Sequence, residues 1–163
     1  MASPIKLVTG RLIVRDHEPE DLSGLTELLT RPDDMRYLPE LFAHNADEAR
    51  ANLDASLLER DSPERSKYFF AIVDRASGEY VGEIGFTIEE TGPMGSRVSQ
   101  GYLADLGYFI KHEFWGMGIA TEAGRAVLTY GFARAGVLKF KTGCLKENAR
   151  SERVMIKLGF RKE

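Results

Sequence analysis

Two glycines one residue apart, in Phe114-Trp115-Gly116-Met117-Gly118-Ile119-Ala120-Thr121, stand between a strand pattern and a helix pattern, and no other feature restricts the fold as much. Glycine lacks the Cβ that keeps successive backbone N–H groups apart, so such a turn can aim several amides at one point. The positive end of the following helix dipole adds to them. The turn therefore suits an anion such as a pyrophosphate. It is not a Walker loop, which needs Gly-Lys-Ser/Thr after a longer spacer. It is also a poor dinucleotide fingerprint, because Thr121 stands where Gly or Ala is required. By itself Gly-x-Gly serves as well for a plain connection from strand to helix.

The chain has 163 residues, enough for one domain with one core, and it shows no internal repeat, low-complexity tract or Gly/Ser linker. Periodicity predicts a short strand at 12–15 and a helix over 19–30, opened by Pro19 and carrying Leu22, Leu25, Leu28 and Leu29. Arg31-Pro32-Asp33 breaks it. A second helix starts near Asn45, whose side chain can cap with Glu48 three residues on; Leu53, Leu57 and Leu58 form its apolar stripe. The apolar run 68–74 and the segment 80–89, joined through Ser77-Gly78, read as a hairpin of buried strands. Turn formers from Glu90 to Ser96 predict a loop, and 102–110 a further strand with a bulge at Gly107. A helix over 119–134, with Ala123, Val127 and Tyr130 on one face, leads to a strand over 138–145. There Leu138, Phe140, Thr142 and Cys144 alternate with polar or small residues. A last helix over 149–158 stops at Gly159. Antiparallel hairpins early and a strand-helix-strand-helix unit late give an α/β order.

Composition enters mainly by exclusion. A net charge of -3, from 22 basic and 25 acidic residues, provides no global field for a nucleic-acid backbone. One cysteine, Cys144, can form neither an internal disulfide nor a cysteine zinc site, and His17, His44 and His112 lack metal-ligand spacing, so no metal is expected. The three histidines are expected at the surface, and Cys144 as a buried thiol on the apolar side of its strand. No run approaches the ~20 apolar residues of a membrane span. The start lacks a basic segment followed by an apolar one, so the expectation is a cytoplasmic protein.

The run from Leu106 to Ala123, Leu-Gly-Tyr-Phe-Ile-Lys-His-Glu-Phe-Trp-Gly-Met-Gly-Ile-Ala-Thr-Glu-Ala, resembles the coenzyme A-binding motif of the GNAT N-acetyltransferases. Its wording Trp-Gly-x-Gly-x-Ala-Thr-Glu-Ala is similar to the ribosomal-protein alanine acetyltransferase (RimJ/RimL) branch. Thr9-Gly-Arg-Leu-Ile-Val-Arg, Glu147-Asn-Ala-Arg-Ser and Val154-Met-Ile-Lys-Leu-Gly-Phe agree with it, in the family's order and over nearly the whole chain. Glu113 departs from the Gln or Arg that often opens the motif. The resemblance implies an α/β (α+β) acyl-CoA N-acyltransferase fold, a central mixed, mostly antiparallel sheet flanked by helices. It implies acetyl-CoA as co-substrate and an amine acceptor, either a protein N-terminus or a small molecule. The family continues with further strands after Lys-Leu-Gly-Phe, whereas this sequence stops at Glu163, so the last strand is expected to be missing and a homodimer through that end is one expectation.

By the same resemblance Phe109, Ile110 and Lys111 meet pantetheine, and Phe114, Trp115, Gly116, Met117, Gly118, Ile119, Ala120 and Thr121 meet the pyrophosphate. An N–H near Phe109 or Ile110 polarises the thioester carbonyl. Ser151, in Asn148-x-x-Ser151, is placed near the sulfur, and Asn148 orients the cofactor arm or a water; either residue also suits the cap of the last helix. For a base the sequence offers Glu83 and Asp105. An enzyme working by direct attack in a ternary complex and a coenzyme A-binding module without turnover both remain open.

Overall fold

The computed structural model describes residues 3–89, 97–98 and 101–163 of the chain, and the loop read at Glu90 to Ser96 lies outside them. Seven strands form one sheet: β1 (Lys6–Val8), β2 (Leu12–Asp16), β3 (Lys67–Asp74), β4 (Tyr80–Ile88), β5 (Arg97–Val98), β6 (Gly101–Ile110) and β7 (Val137–Thr142). β1, β2, β3, β4 and β6 are neighbours in that order and antiparallel; the short β5 pairs with the start of β6. β7 alone runs parallel to its neighbour, β6. A parallel pair needs a crossover, and α3 (Ile119–Arg134) supplies it. The mixed, mostly antiparallel sheet with flanking helices is the architecture the resemblance implied.

Helices cover both faces, which explains why β3 and β4 are apolar almost without interruption. On one face Leu12, Val14, Phe70, Ile72, Ile84 and Phe86 pack with Ala123 and Val127 of α3. On the other, Ala71, Val73 and Tyr80 pack with Leu25, Leu28 and Leu29 of α1 (Leu22–Thr30) and Leu53 of α2 (Ala46–Asp61). A bulge sits between these strands: Ile72 pairs with Gly82 but Val73 with Tyr80, so Val81 is the extra residue. The bulge resets the side-chain alternation and brings Glu83, paired with Ala71, to the same face as Tyr80.

Several local expectations hold. Pro19 opens a 3-10 turn (Pro19–Asp21) directly before α1. Asn45 caps α2 by accepting from the Glu48 N–H at 2.9 Å. The last helix, α4 (Ala149–Lys157), ends in a left-handed Gly159 (φ 94°); Gly159 N–H bonds Ile156 O and Phe160 N–H bonds Met155 O, a complete Schellman arrangement. Residues 160–163 form no strand.

Others need correction. Leu58 is 76% exposed and belongs to no core stripe; Leu53 is the buried member. Gly107 is not a bulge, since β4 and β6 pair in continuous register through Gly85 and Gly107. The irregularity falls instead between Tyr102 and Leu103 against β7, where Leu138 is the extra residue. That skip makes Val137 and Phe140 the inward pair and leaves Leu138 52% exposed. β7 ends at Thr142, so Cys144 lies beyond the strand and is exposed rather than buried. His17, expected at the surface, is buried at 1% exposure because it lies just past β2 and its ring is drawn inward by polar partners described below.

Candidate active site

β6 and β7 pair only from Tyr102–Val137 to Leu106–Thr142, where the Thr142 hydroxyl donates to Leu106 O at 2.9 Å and closes the fork. β6 continues to Ile110 against β4 alone. No β7 residue pairs with 107–110, and in an antiparallel strand alternate backbone groups face away from the existing partner. A strip of peptide groups thus faces a gap. The gap opens into a cleft of about 210 Å³ whose wall includes Tyr108, Phe109 and Ile110 from β6, the glycine turn, and Asn148 and Ser151 from α4.

The glycine turn has the geometry its sequence requires. Gly116 and Gly118 have φ of 78° and 77°, in the left-handed region that residues with a Cβ avoid. Gly118 is the N-cap of α3, and no side chain caps it, so the first amides of α3 lack the usual internal acceptor. The turn is braced from outside the cleft. Arg11 donates to Met117 O at 2.7 Å and pairs with Glu122 of α3 at 2.8 Å; Thr9 donates to the same carboxylate at 2.5 Å. These contacts explain the early Thr9-Gly-Arg11 segment, far away in sequence but fastened to the start of α3. Trp115 donates its indole N–H to Ile110 O at 2.8 Å, and the Arg150 guanidinium lies 4.6 Å from its ring centroid.

Of the expected cofactor residues, Phe109, Ile110, Phe114, Trp115, Gly116, Gly118, Ile119, Ala120, Thr121 and Asn148 line the cleft. The Lys111 and Met117 side chains do not. Lys111 is buried, with Nζ 3.1 Å from Glu27 of α1, and Met117 is 54% exposed.

At the fork, Asn148 Oδ1 accepts from Ser151 N–H at 3.1 Å, so the Asn148 side chain caps α4. The Ser151 hydroxyl is left to a different partner, the Tyr108 hydroxyl at 2.8 Å, which also lies 3.0 Å from Ser151 O. Burial pushes the Tyr108 phenol up to about 12, against a smaller opposing effect of the Ser151 hydrogen bond, so it holds its proton at any working pH. Sequence reasoning passed over Tyr108 because a tyrosine in an apolar strand looks like packing. The available signal was its position in the motif just where β6 outruns its partner.

A second missed group is Asp34, between α1 and α2, with a fully buried side chain. It accepts from His112 N–H at 2.6 Å, contacts His112 Nδ1 at 2.7 Å and pairs with Arg31 at 2.6 Å. Arg31 also reaches Glu113 at 2.7 Å. Glu113 is thereby held below its usual range: partial burial disfavours its charge, and the hydrogen bond from Arg31 outweighs that. Its departure from Gln or Arg in the family motif thus has a local purpose, an ion pair fastening the 31–38 segment to the approach of the glycine turn. Asp34, His112 and Glu113 offer ligand atoms within 4.8 Å of one another, but Arg31 already neutralises both carboxylates.

Glu83 does not line the cleft. It is buried at 3% exposure, with Oε1 3.8 Å from His17 Nε2, which is also 3.0 Å from the Tyr80 hydroxyl; His17 Nδ1 is 3.2 Å from Phe69 O. Desolvation raises Glu83 to about 8 and lowers His17. Asp105, the other candidate base, is exposed on the strand opposite Thr87 and Lys141 and is raised by desolvation, with Lys141 opposing. It has no place on the cleft wall.

A family model described as an acetyltransferase (GNAT) domain matches residues 11–161. The uncharacterized N-acetyltransferase YnaD of Bacillus subtilis (strain 168) is 27% identical over 158 residues, covering 96% of this chain and 83% of that protein. Among solved structures, RimL, a ribosomal L7/L12 alpha-N-protein acetyltransferase in complex with coenzyme A, superposes with a TM-score of 0.79 at 19% identity, over 98% of this chain and 85% of that one. A spermidine N-acetyltransferase from Vibrio cholerae, in complex with CoA and spermine, gives 0.75 at 19% identity, over 95% and 83%. At these identities the structural likeness speaks to the fold, and the family match adds the class: the chain belongs to the GNAT family of N-acetyltransferases.

Proposed function

We propose that the protein transfers an acetyl group from acetyl-CoA to a primary amine, by direct attack of the amine within a ternary complex. The observation that carries this is the joining of two features in one cleft: the strip of peptide groups where β6 outruns β7, and the uncapped start of α3 at Gly118. The first suits an extended pantetheine arm, with an N–H near Phe109 or Ile110 facing the thioester oxygen. The second suits a pyrophosphate. The coenzyme A in the RimL and spermidine acetyltransferase structures agrees with this reading.

In the step itself the neutral amine nitrogen bonds to the thioester carbon, the C–S bond breaks, sulfur leaves as thiolate, and the nitrogen sheds a proton. Tyr108 and Ser151 serve the sulfur. The Tyr108 hydrogen has two acceptors, Ser151 O and Ser151 Oγ. When negative charge develops on sulfur, the Ser151 hydrogen turns toward it and Tyr108 donates to Oγ, a short chain of donors aimed at the leaving group.

Proton removal from the amine passes through water to Glu83, which stands behind Phe109 in the strand register. An α-amino acceptor, with a pKa of ~8 against ~10.4 for lysine, needs little help. With Glu83 at about 8, kcat/KM should climb with pH up to that value, and Glu83→Gln should remove that limb of the profile. The same group should leave a mark on stability. A carboxyl raised above its ordinary value of 4.5 supports the fold below that pH and loses that support as pH rises toward 8. The variant should therefore gain in unfolding midpoint over the native protein across this window. A shifted stability profile with an unchanged rate limb would make Glu83 structural only.

The acceptor class is a protein N-terminus, as RimL's printed activity suggests, or a small amine, as the spermidine enzyme's suggests. Measuring thiol release from acetyl-CoA with N-terminal peptides, lysine peptides, polyamines and aminosugars tests the reading. Release with at least one amine is expected; tight cofactor binding without release for any of them supports a non-catalytic coenzyme A-binding module instead.

A further inference from the structure

The glycine turn does not account for all the charge recognition in the cleft. Arg150, Arg153 and Lys157 of α4 also line it, at positions i, i+3 and i+7 on one helical face, spanning about 10 Å along the axis. Arg150 is fixed over Trp115, while Arg153 and Lys157 enter no ion pair or hydrogen bond among the described residues. The neighbouring acid on the same helix, Glu152, is occupied by Lys162 at 3.3 Å. On the cleft wall the acidic side chain among the described residues is Asp34, already engaged by Arg31 and His112. Three cations thus face one cavity in a chain whose net charge is -3, with no acid left to neutralise them.

Such an arrangement fits a ligand with more negative charge than the uncapped amides of α3 can absorb. Resting on the acetyl-CoA reading, the pyrophosphate belongs to the glycine turn, and the anionic group that remains on the carrier is its 3′-phosphate. We infer that Arg153 and Lys157, with Arg150 held against Trp115, form a separate subsite for the 3′-phosphate, so that the protein selects 3′-phosphorylated coenzyme A thioesters over their dephosphorylated forms.

The test is calorimetric titration of the full chain with coenzyme A and with 3′-dephospho-coenzyme A, repeated on the double variant Arg153→Ala/Lys157→Ala after circular dichroism has shown it folded. The native protein should bind the dephospho form about 30-fold more weakly, the scale of one or two charge-assisted hydrogen bonds. The double variant should bind both forms alike, at the weaker affinity. Equal affinities in the native protein, or a preference that survives in the variant, would overturn the subsite and leave the acetyl-CoA reading intact. No heat with either nucleotide would overturn both.

Discussion

Replacing Gly118 with leucine is expected to lower coenzyme A affinity at least about 100-fold while the protein stays folded. Position 118 has a φ of 77°, and a residue with a Cβ held there costs roughly 1–2 kcal/mol. An added Cβ would meet Arg11 Nη2 at 3.4 Å, an ordinary contact with a flexible side-chain end, so packing adds little to that cost. Binding suffers far more. A leucine side chain beside the first amides of α3 blocks the approach of phosphate oxygens, and each charge-assisted hydrogen bond lost is worth about 1.5–3 kcal/mol. Gly118→Ala separates the two effects, since it carries the backbone strain with a minimal side chain and should fall between the native protein and the leucine variant. Denaturant unfolding and calorimetry on the same samples provide the comparison. Native-like affinity in a folded Gly118→Leu protein would show that the turn only connects β6 to α3.

The second large effect concerns turnover. Tyr108→Phe and Ser151→Ala should each lower kcat about 100-fold, the lower end of what positioned proton donors contribute, with cofactor affinity nearly unchanged. Because the two hydroxyls are 2.8 Å apart and act as one chain, their losses should not add: the double variant should be about as slow as the worse single one. A purely structural role predicts another pattern. The Tyr108 hydroxyl also contacts Ser151 O and so holds α4 against β6; if that were its whole purpose, Tyr108→Phe would weaken cofactor binding and stability together while Ser151→Ala left turnover alone. Asn148 should behave differently from both, since its side chain is occupied as the α4 cap and its loss should show first in stability.

These expectations differ in how far they could be read from the amino acids. The glycine turn, α3 and the α4 terminus were legible because each is set locally: Gly118 before a helix-period run, and Gly159 where the Schellman bonds close. The 67–88 hairpin was legible from its apolar runs, though its bulge at Val81 was not, and that bulge decides which face Glu83 occupies. Cys144 and Leu138 were misplaced because alternation was extended past the point where β7 leaves β6, and through a register skip that only the partner strand defines. Tyr108 and Asp34 escaped notice for a related reason. Their roles exist only through partners 43 and 78 residues away, Ser151 and His112, and no spacing rule reaches that far. His17 shows the reverse error: a polar type assigned to the surface is buried because the Tyr80 hydroxyl and Phe69 carbonyl satisfy its two ring nitrogens.

All of this depends on the cleft between β6, α3 and α4 holding a thioester carrier by its diphosphate. Calorimetric titration of the folded chain with coenzyme A and acetyl-CoA tests that most directly. The account predicts saturable heat with one carrier per chain for both, weakened by Gly118→Leu; a well-folded protein giving no heat with either would contradict it.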